Sequence, residues 1–286
     1  MPKNSGLLGP VEVRTLAAEL GIIPTKKLGQ NFVIDPNTIR KIVEIGKVTD
    51  EDIVLEVGPG LGSLTLGLLG KTREVVAVEL DGKLAAQLPA TIQKQLPEAV
   101  DNIQVMHKDA VKVTELPSEP TAFVANLPYN VAVPIFLNIL KRFSSITHGV
   151  VMVQKEVAQR LTASPSNKVY GVPTLKASWY AELKYAGTVG KNVFWPAPRI
   201  DSGLVFFERK ANPYPEKIRD SVFELIDMAF SQRRKTIRTA INNWNKKYPE
   251  RNINTNRLEL DLSKRPEQLI LTDFVAMIEM DNHATG

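Results

Sequence analysis

Five short apolar runs constrain this chain more than any other feature. They cover 53–57, 75–79, 103–106, 121–125 and 149–154, and the segments between them are long enough for helices, as over 81–95. Compact apolar runs bounded by turn residues suit strands buried on both faces. Strands that alternate with helical stretches imply βαβ units and a parallel sheet. The expected fold class is α/β, with a Rossmann-like sheet.

Near residue 178 the pattern changes. Two further strands are expected over 179–185 and 204–207, with no clear helix between them, so an antiparallel edge is predicted. The polar, proline-containing stretch 208–216 reads as a domain boundary. Beyond it the period is helical: Ile218, Val222, Leu225, Ile226, Ala229 and Phe230 form one stripe, and Ile237, Ala240, Ile241 and Trp244 another. Pro266 is placed to open a last helix carrying Leu269, Ile270, Phe274, Met277 and Ile278. A main domain over 1–208 and a small helical domain over 209–286 follow. The first 25 residues form an N-terminal extension with a helix over 11–20, stopped by Gly21.

Composition excludes several kinds of chemistry. The chain has no Cys, so disulfides, zinc–thiolate sites and thiol catalysis are ruled out. With only His107, His148 and His283, no metal site is expected. No apolar run approaches the roughly 18 residues of a membrane span. A cytoplasmic monomer is the expectation. The net charge of +5 allows a nucleic-acid partner without requiring one. Local clustering says more, because 231–248 holds Arg233, Arg234, Lys235, Arg238, Lys246 and Lys247 and no acid.

The first apolar run ends in Glu56-Val57-Gly58-Pro59-Gly60-Leu61-Gly62. Glycines there let backbone approach a ligand and turn sharply into a helix. Glu79 ends the second run, about 20 residues on, where a carboxylate commonly accepts both hydroxyls of a ribose. Asp109 follows the third run, placed to meet an adenine amine. NAD, FAD and S-adenosylmethionine sites all share this outline. The spacing departs from the GxGxxG dinucleotide fingerprint, which favours S-adenosylmethionine.

The fourth run ends in Asn126-Leu127-Pro128-Tyr129. An amide oxygen accepts a hydrogen bond from an amine N–H, the proline fixes the turn, and the tyrosine offers a face to an extruded base. An adenine 6-amine is a weak nucleophile, because its lone pair is delocalised into the ring. The Asn126 amide and a neighbouring backbone carbonyl, that of Leu127, would favour a tetrahedral nitrogen with its lone pair free. In 194–202 two prolines stiffen the chain, and Phe194 is the residue expected on the second face of the base. The segment 164–171 is a candidate lid.

Taken together, these motifs resemble the small-subunit ribosomal RNA adenine dimethyltransferases. The match runs from about Lys26 to Ile278. It includes Lys27-Leu28-Gly29-Gln30-Asn31-Phe32, Gly58-Pro59-Gly60, Glu79-Leu80-Asp81 and Lys108-Asp109-Ala110. It continues through the tetrad, Pro196-Ala197-Pro198-Arg199-Ile200-Asp201-Ser202 and Phe230-Ser231-Gln232-Arg233-Arg234-Lys235-Thr236. The resemblance implies S-adenosylmethionine contacts from Asn31, Val33, Gly58, Gly60, Glu79, Asp109 and Asn126. Val33 stands where the family usually has Leu, a change that a backbone contact survives. It also implies dimethylation of two adjacent adenosines in the 3′-terminal hairpin of 16S rRNA, within an immature 30S subunit. Phosphate contacts are expected from Arg233, Arg234, Lys235 and Arg238. Competing readings are a large-subunit (23S) rRNA methyltransferase of the macrolide-resistance type and a non-enzymatic RNA-binding assembly factor. A nicotinamide dehydrogenase is more distant, since no histidine is placed to handle a hydride reaction.

Overall fold

The computed structural model describes residues 6–22, 30–211 and 213–282. Lys27, Leu28, Gly29 and His283 lie outside the described residues. The chain divides into two compact units, one of residues 1–159 with 183–209, the other of 160–182 with 210–286. The second unit therefore takes in 160–182, a segment assigned from sequence to the main domain.

The first unit opens with helix α1 (Pro10–Glu19) and a two-residue strand β1 (Phe32–Val33). Helix α2 (Pro36–Ile45) starts where Asp35 accepts the Asn37 and Thr38 backbone N–H groups and Pro36 presets the first turn. The five apolar runs become β2 (Ile53–Val57), β3 (Glu74–Glu79), β4 (Ile103–His107), β5 (Ala122–Asn126) and β6 (His148–Gln154). Helices α3 (Ser63–Leu69), α4 (Gly82–Gln95) and α5 (Ala132–Arg142) connect them. The remaining strands are β7 (Ala181–Val189), β8 (Phe194–Trp195) and β9 (Ser202–Arg209).

The seven-stranded sheet has the order β4-β3-β2-β5-β6-β9-β7. The five apolar strands are parallel, and β9 runs antiparallel to β6 with Ser202 opposite Gln154. Strand order reverses between β2 and β5, so the crevice beyond their carboxyl ends is where a ligand belongs. Val75, Val76 and Ala77 of β3 and Phe123, Val124 and Ala125 of β5 are all fully buried. Phe136 of α5 and Phe207 of β9 meet edge-to-face at 5.3 Å over the β5 end of this core.

The expected strand over 179–185 starts later, at Ala181. Trp179 and Tyr180 follow helix α7 (Val172–Ser178) and pack edge-on against Phe223 at 5.9 and 6.2 Å. Burying two large rings outweighs their strand preference. The short ribbon of β1 and β8 carried no sequence signal, since two residues show no alternation.

The second unit holds most of the remaining helices, among them α8 (Arg219–Ser231), α9 (Ile237–Lys247) and α10 (Leu271–Asn282); α6 (Lys155–Leu161) begins before it. Both predicted stripes are buried, except that Phe230 is only half-buried. Pro266 does not open α10. It starts a single 3-10 turn, Pro266–Gln268, and the helix begins only where the Asp273 carboxylate accepts the Ile270 N–H at 2.8 Å. The candidate lid is tied within this unit: the Ser166 N–H donates to the Glu267 carbonyl at 2.7 Å and the Tyr170 hydroxyl to that of Leu269 at 2.9 Å.

Candidate active site

A cleft of two lobes opens beyond the carboxyl ends of β2, β3 and β5 in the first unit. One lobe is lined by Asn31, Val33, Glu56, Gly60, Ser63 and the whole tetrad 126–129. The other is lined by Leu80, Lys108, Asp109, Val111, Val131 and Ile135. Gly58, Glu79, Gln30 and Pro128 border both. Every S-adenosylmethionine contact expected from the sequence thus borders one cleft.

The loop after β2 needs its glycines. Gly58, Gly60 and Gly62 have φ of +71°, +59° and +94°, a region that costs other residues strain. A Cβ on Gly60 would stand 2.9 Å from the Phe32 ring. The Gly60 N–H points instead at Glu79, donating to Oε2 at 3.1 Å, while the Asp81 N–H donates to Oε1 at 2.9 Å. Burial raises the Glu79 pKa, and these N–H groups oppose the rise. Asp81 then caps α4, accepting the Lys83 N–H at 2.9 Å, and receives the Gln30 amide at 3.3 Å.

Asn126 has a defined orientation. Its Nδ2 donates to the Asn31 carbonyl at 3.1 Å. Its Oδ1 is buried and, among the described residues, has no hydrogen-bond partner. The reverse orientation would set two acceptors face to face, so the free oxygen is fixed by the bond its amide makes. A buried acceptor without a partner is uncommon, and here it faces a ligand cleft. The Pro128 carbonyl is taken by the Val131 N–H at 3.2 Å, and among the described residues the Leu127 carbonyl accepts no hydrogen bond. Tyr129 is half-buried, its hydroxyl 2.5 Å from Ser202 Oγ. Burial raises its pKa, so the phenol stays protonated at neutral pH.

Phe194 is not at the cleft. It is 3% exposed, pairs with Val33 across the β1–β8 ribbon and joins the main hydrophobic cluster. A fully apolar ring gains more from that burial than from waiting at a cleft edge. The expected sandwich of a base between Tyr129 and Phe194 is not built into this arrangement. Trp195 beside it stacks on Phe32 at 6.4 Å.

Two polar groups in the cleft escaped the sequence reading. Ser63 Oγ is buried without a partner among the described residues. Glu56 is 1% exposed and accepts the Thr65 hydroxyl at 2.7 Å. Burial, with Glu79 nearby, pushes its pKa up from 4.5 to about 8, against the pull of Thr65. Its place as the last acid before the glycine loop was the available signal. The raised pKa has a consequence for stability. Below pH 4.5 the carboxyl is protonated whether folded or unfolded; between 4.5 and about 8 only the unfolded chain ionises, so stability falls as pH rises and then levels off. Glu56→Gln removes this slope, worth on the order of a few kcal/mol at most. Urea unfolding of both proteins from pH 5 to 8.5 measures it; parallel pH profiles would show Glu56 already ionised in the fold.

Of the basic residues, Arg233 is already engaged, its Nε lying 3.7 Å from Glu267 and its Nη2 donating to the Asn167 carbonyl at 3.5 Å. Arg234, Lys235 and Arg238 are exposed, and their side chains have no partner among the described residues. No cluster able to hold a metal occurs among the described residues, and no described helix is long and apolar enough to cross a membrane.

Comparisons with known proteins identify the family of the chain. Residues 24–279 match the sequence model of a family described as ribosomal RNA adenine dimethylase. A ribosomal RNA small subunit methyltransferase A from Streptomyces griseus is 54% identical over 275 residues, covering 96% of this chain and 94% of that protein. Its namesake from Arthrobacter sp. is 58% identical over 240 residues, covering 84% and 81%. A dimethyladenosine transferase structure from Plasmodium falciparum superposes with a TM-score of 0.74 at 23% identity, covering 88% of this chain and 98% of that one. The 23S rRNA methyltransferase ErmE gives 0.63 at 22% identity, covering 87% and 100%. At such identities the two structures establish the shared fold of the sheet and its helices, not the substrate.

Proposed function

Since this chain belongs to the ribosomal RNA adenine dimethylase family, we propose that its cleft transfers methyl groups from S-adenosylmethionine to the 6-amines of two adjacent adenosines. The substrate is the 3′-terminal hairpin of 16S rRNA in an immature 30S subunit, and each base becomes N6-dimethyladenosine. The observation that carries this is the buried, unpartnered Asn126 Oδ1 at the end of β5, an acceptor held ready for an amine.

The bound donor supplies an electrophilic methyl on a sulfonium. Glu79 would hold its ribose with the oxygen lone pairs that the Gly60 and Asp81 N–H groups leave free. The apolar lobe around Leu80, Val111 and Ile135 would take its adenine, with Asp109 at the amine. The acceptor base stacks on Tyr129. In the first transfer Asn126 Oδ1 and the Leu127 carbonyl accept hydrogen bonds from its two amine N–H groups, and in the second one of them accepts from the N–H that remains, which localises the nitrogen lone pair toward the methyl. Nitrogen–carbon bond formation breaks the carbon–sulfur bond, leaves S-adenosylhomocysteine, and one amine proton departs to water. No strong base is needed, and the rate rests on placement. The protein works as a cytoplasmic monomer.

The exposed Arg234, Lys235 and Arg238 contact phosphates, which position an RNA without reading its bases. The test offers labelled donor with three substrates: small subunits from cells lacking this methylation, naked 16S rRNA and naked 23S rRNA. Transfer to the small subunit alone supports the proposal, and transfer to 23S rRNA selects the alternative. Neutralising Arg234, Lys235 and Arg238 together should weaken RNA binding and lower its salt-dependence slope by about two, leaving donor affinity unchanged. An unaltered slope would remove these residues from the RNA surface.

A further inference from the structure

The Pro-rich segment ending at Ser202 has no part in the chemistry above, yet its last residue touches the site. Ser202 is fully buried at the start of β9. Its hydroxyl lies 2.5 Å from that of Tyr129, 73 residues away in sequence. The strand around it is pinned. Ser202 is in register with Gln154 of β6, and the neighbouring Asp201 accepts the Lys191 N–H on its carboxylate at 3.1 Å and the Lys155 N–H on its carbonyl at 3.0 Å.

We infer that Ser202 is a positioning residue for methyl transfer, fixing the Tyr129 ring on which the acceptor base stacks. This rests on the function proposed above. A tyrosine held only at its Cβ can swing about χ1. One held also at its hydroxyl has both ends of the ring axis fixed, and the turn that starts at Pro128 and β9 supply those two ends from separate parts of the sheet. A stacked base follows its platform, so a swing of the ring displaces the amine from Asn126 and from the methyl. Misplacement of about 1 Å in a reacting pair costs up to a hundredfold in rate. The segment 196–202 thus acts at the tetrad through one hydroxyl, without contacting the base itself.

The experiment is a double-mutant cycle on methyl transfer, with donor affinity measured separately by calorimetry. Ser202→Ala and Tyr129→Phe remove the same hydrogen bond from opposite sides. Each should lower kcat about tenfold with donor Kd within twofold, and the double variant should be no slower than the slower single one. Additive losses, or an unchanged kcat in Tyr129→Phe, overturn the inference. Tyr129→Phe leaves β9 intact, so the test stands even where Ser202→Ala fails to fold. A wild-type protein inactive on every RNA overturns the functional reading and this inference with it. An active wild type with additive losses overturns this inference alone.

Discussion

Asn126→Ala is expected to lower single-turnover methyl transfer by at least about a hundredfold while donor affinity falls less than tenfold. The magnitude follows from losing one preorganised hydrogen-bond partner aimed at the reacting group, which typically costs about 10²–10³ in rate. The reason the loss is large lies in how the amide is held. Its nitrogen is committed to the Asn31 carbonyl at 3.1 Å, so its oxygen has one orientation and, among the described residues, no competing partner. Water in the variant could occupy the gap, but a mobile water would not hold the amine at a fixed angle. Asn126→Asp should be no better. Its carboxylate would keep an acceptor at the reacting position but set a second acceptor against the Asn31 carbonyl, and that repulsion turns the group away. Activity within tenfold of wild type in Asn126→Ala would remove the amide from the reaction. It would leave the Leu127 carbonyl and the Tyr129 platform as the means of activation.

That amide was legible in the sequence because it ends a continuous apolar run, the mark of a strand buried on both faces. The same holds for Gly58, Gly60 and Glu79: chain direction, spacing and turn chemistry suffice to place them at one sheet edge. Phe194 was misread because an aromatic between a polar turn and a proline segment looks exposed. Its burial depends on pairing with Val33, a contact across more than 160 residues that no local pattern encodes. Ser202 was invisible as a partner of Tyr129 for the same reason, since the two meet only once β9 has run antiparallel to β6. The grouping of 160–182 with the helical tail was also missed. The polar, proline-containing stretch lies where the second unit resumes at Lys210, but the earlier crossing of the chain between units has no compositional sign. What could be read was periodic and local, and what could not was pairing over long separation.

Glu79→Ala should weaken S-adenosylmethionine binding at least about a hundredfold and destabilise the fold as well. The carboxylate does two things at once. Its oxygens accept the Gly60 N–H at 3.1 Å and the Asp81 N–H at 2.9 Å, so it shapes the glycine loop and the turn into α4. Glu79 also lines the cleft, where under the function proposed above its remaining lone pairs would meet the two hydroxyls of a ribose. Hydrogen bonds to a charged acceptor contribute about 1.5–3 kcal/mol each, so losing two accounts for a factor of 10² or more in Kd. Leaving the two backbone donors without partners costs about 1–3 kcal/mol apiece where they are buried. Glu79→Gln separates the two effects. The amide keeps one oxygen for a backbone donor but turns its own NH₂ toward the other, so the loop loosens less than in the alanine variant while the ribose still loses an acceptor. Calorimetric titration with S-adenosylmethionine and with S-adenosylhomocysteine should show the same loss for both, because the ribose is common to them and the sulfonium charge is not involved. A loss confined to S-adenosylmethionine would instead make Glu79 a counter-ion to the sulfonium, and would move the ribose to another part of the cleft.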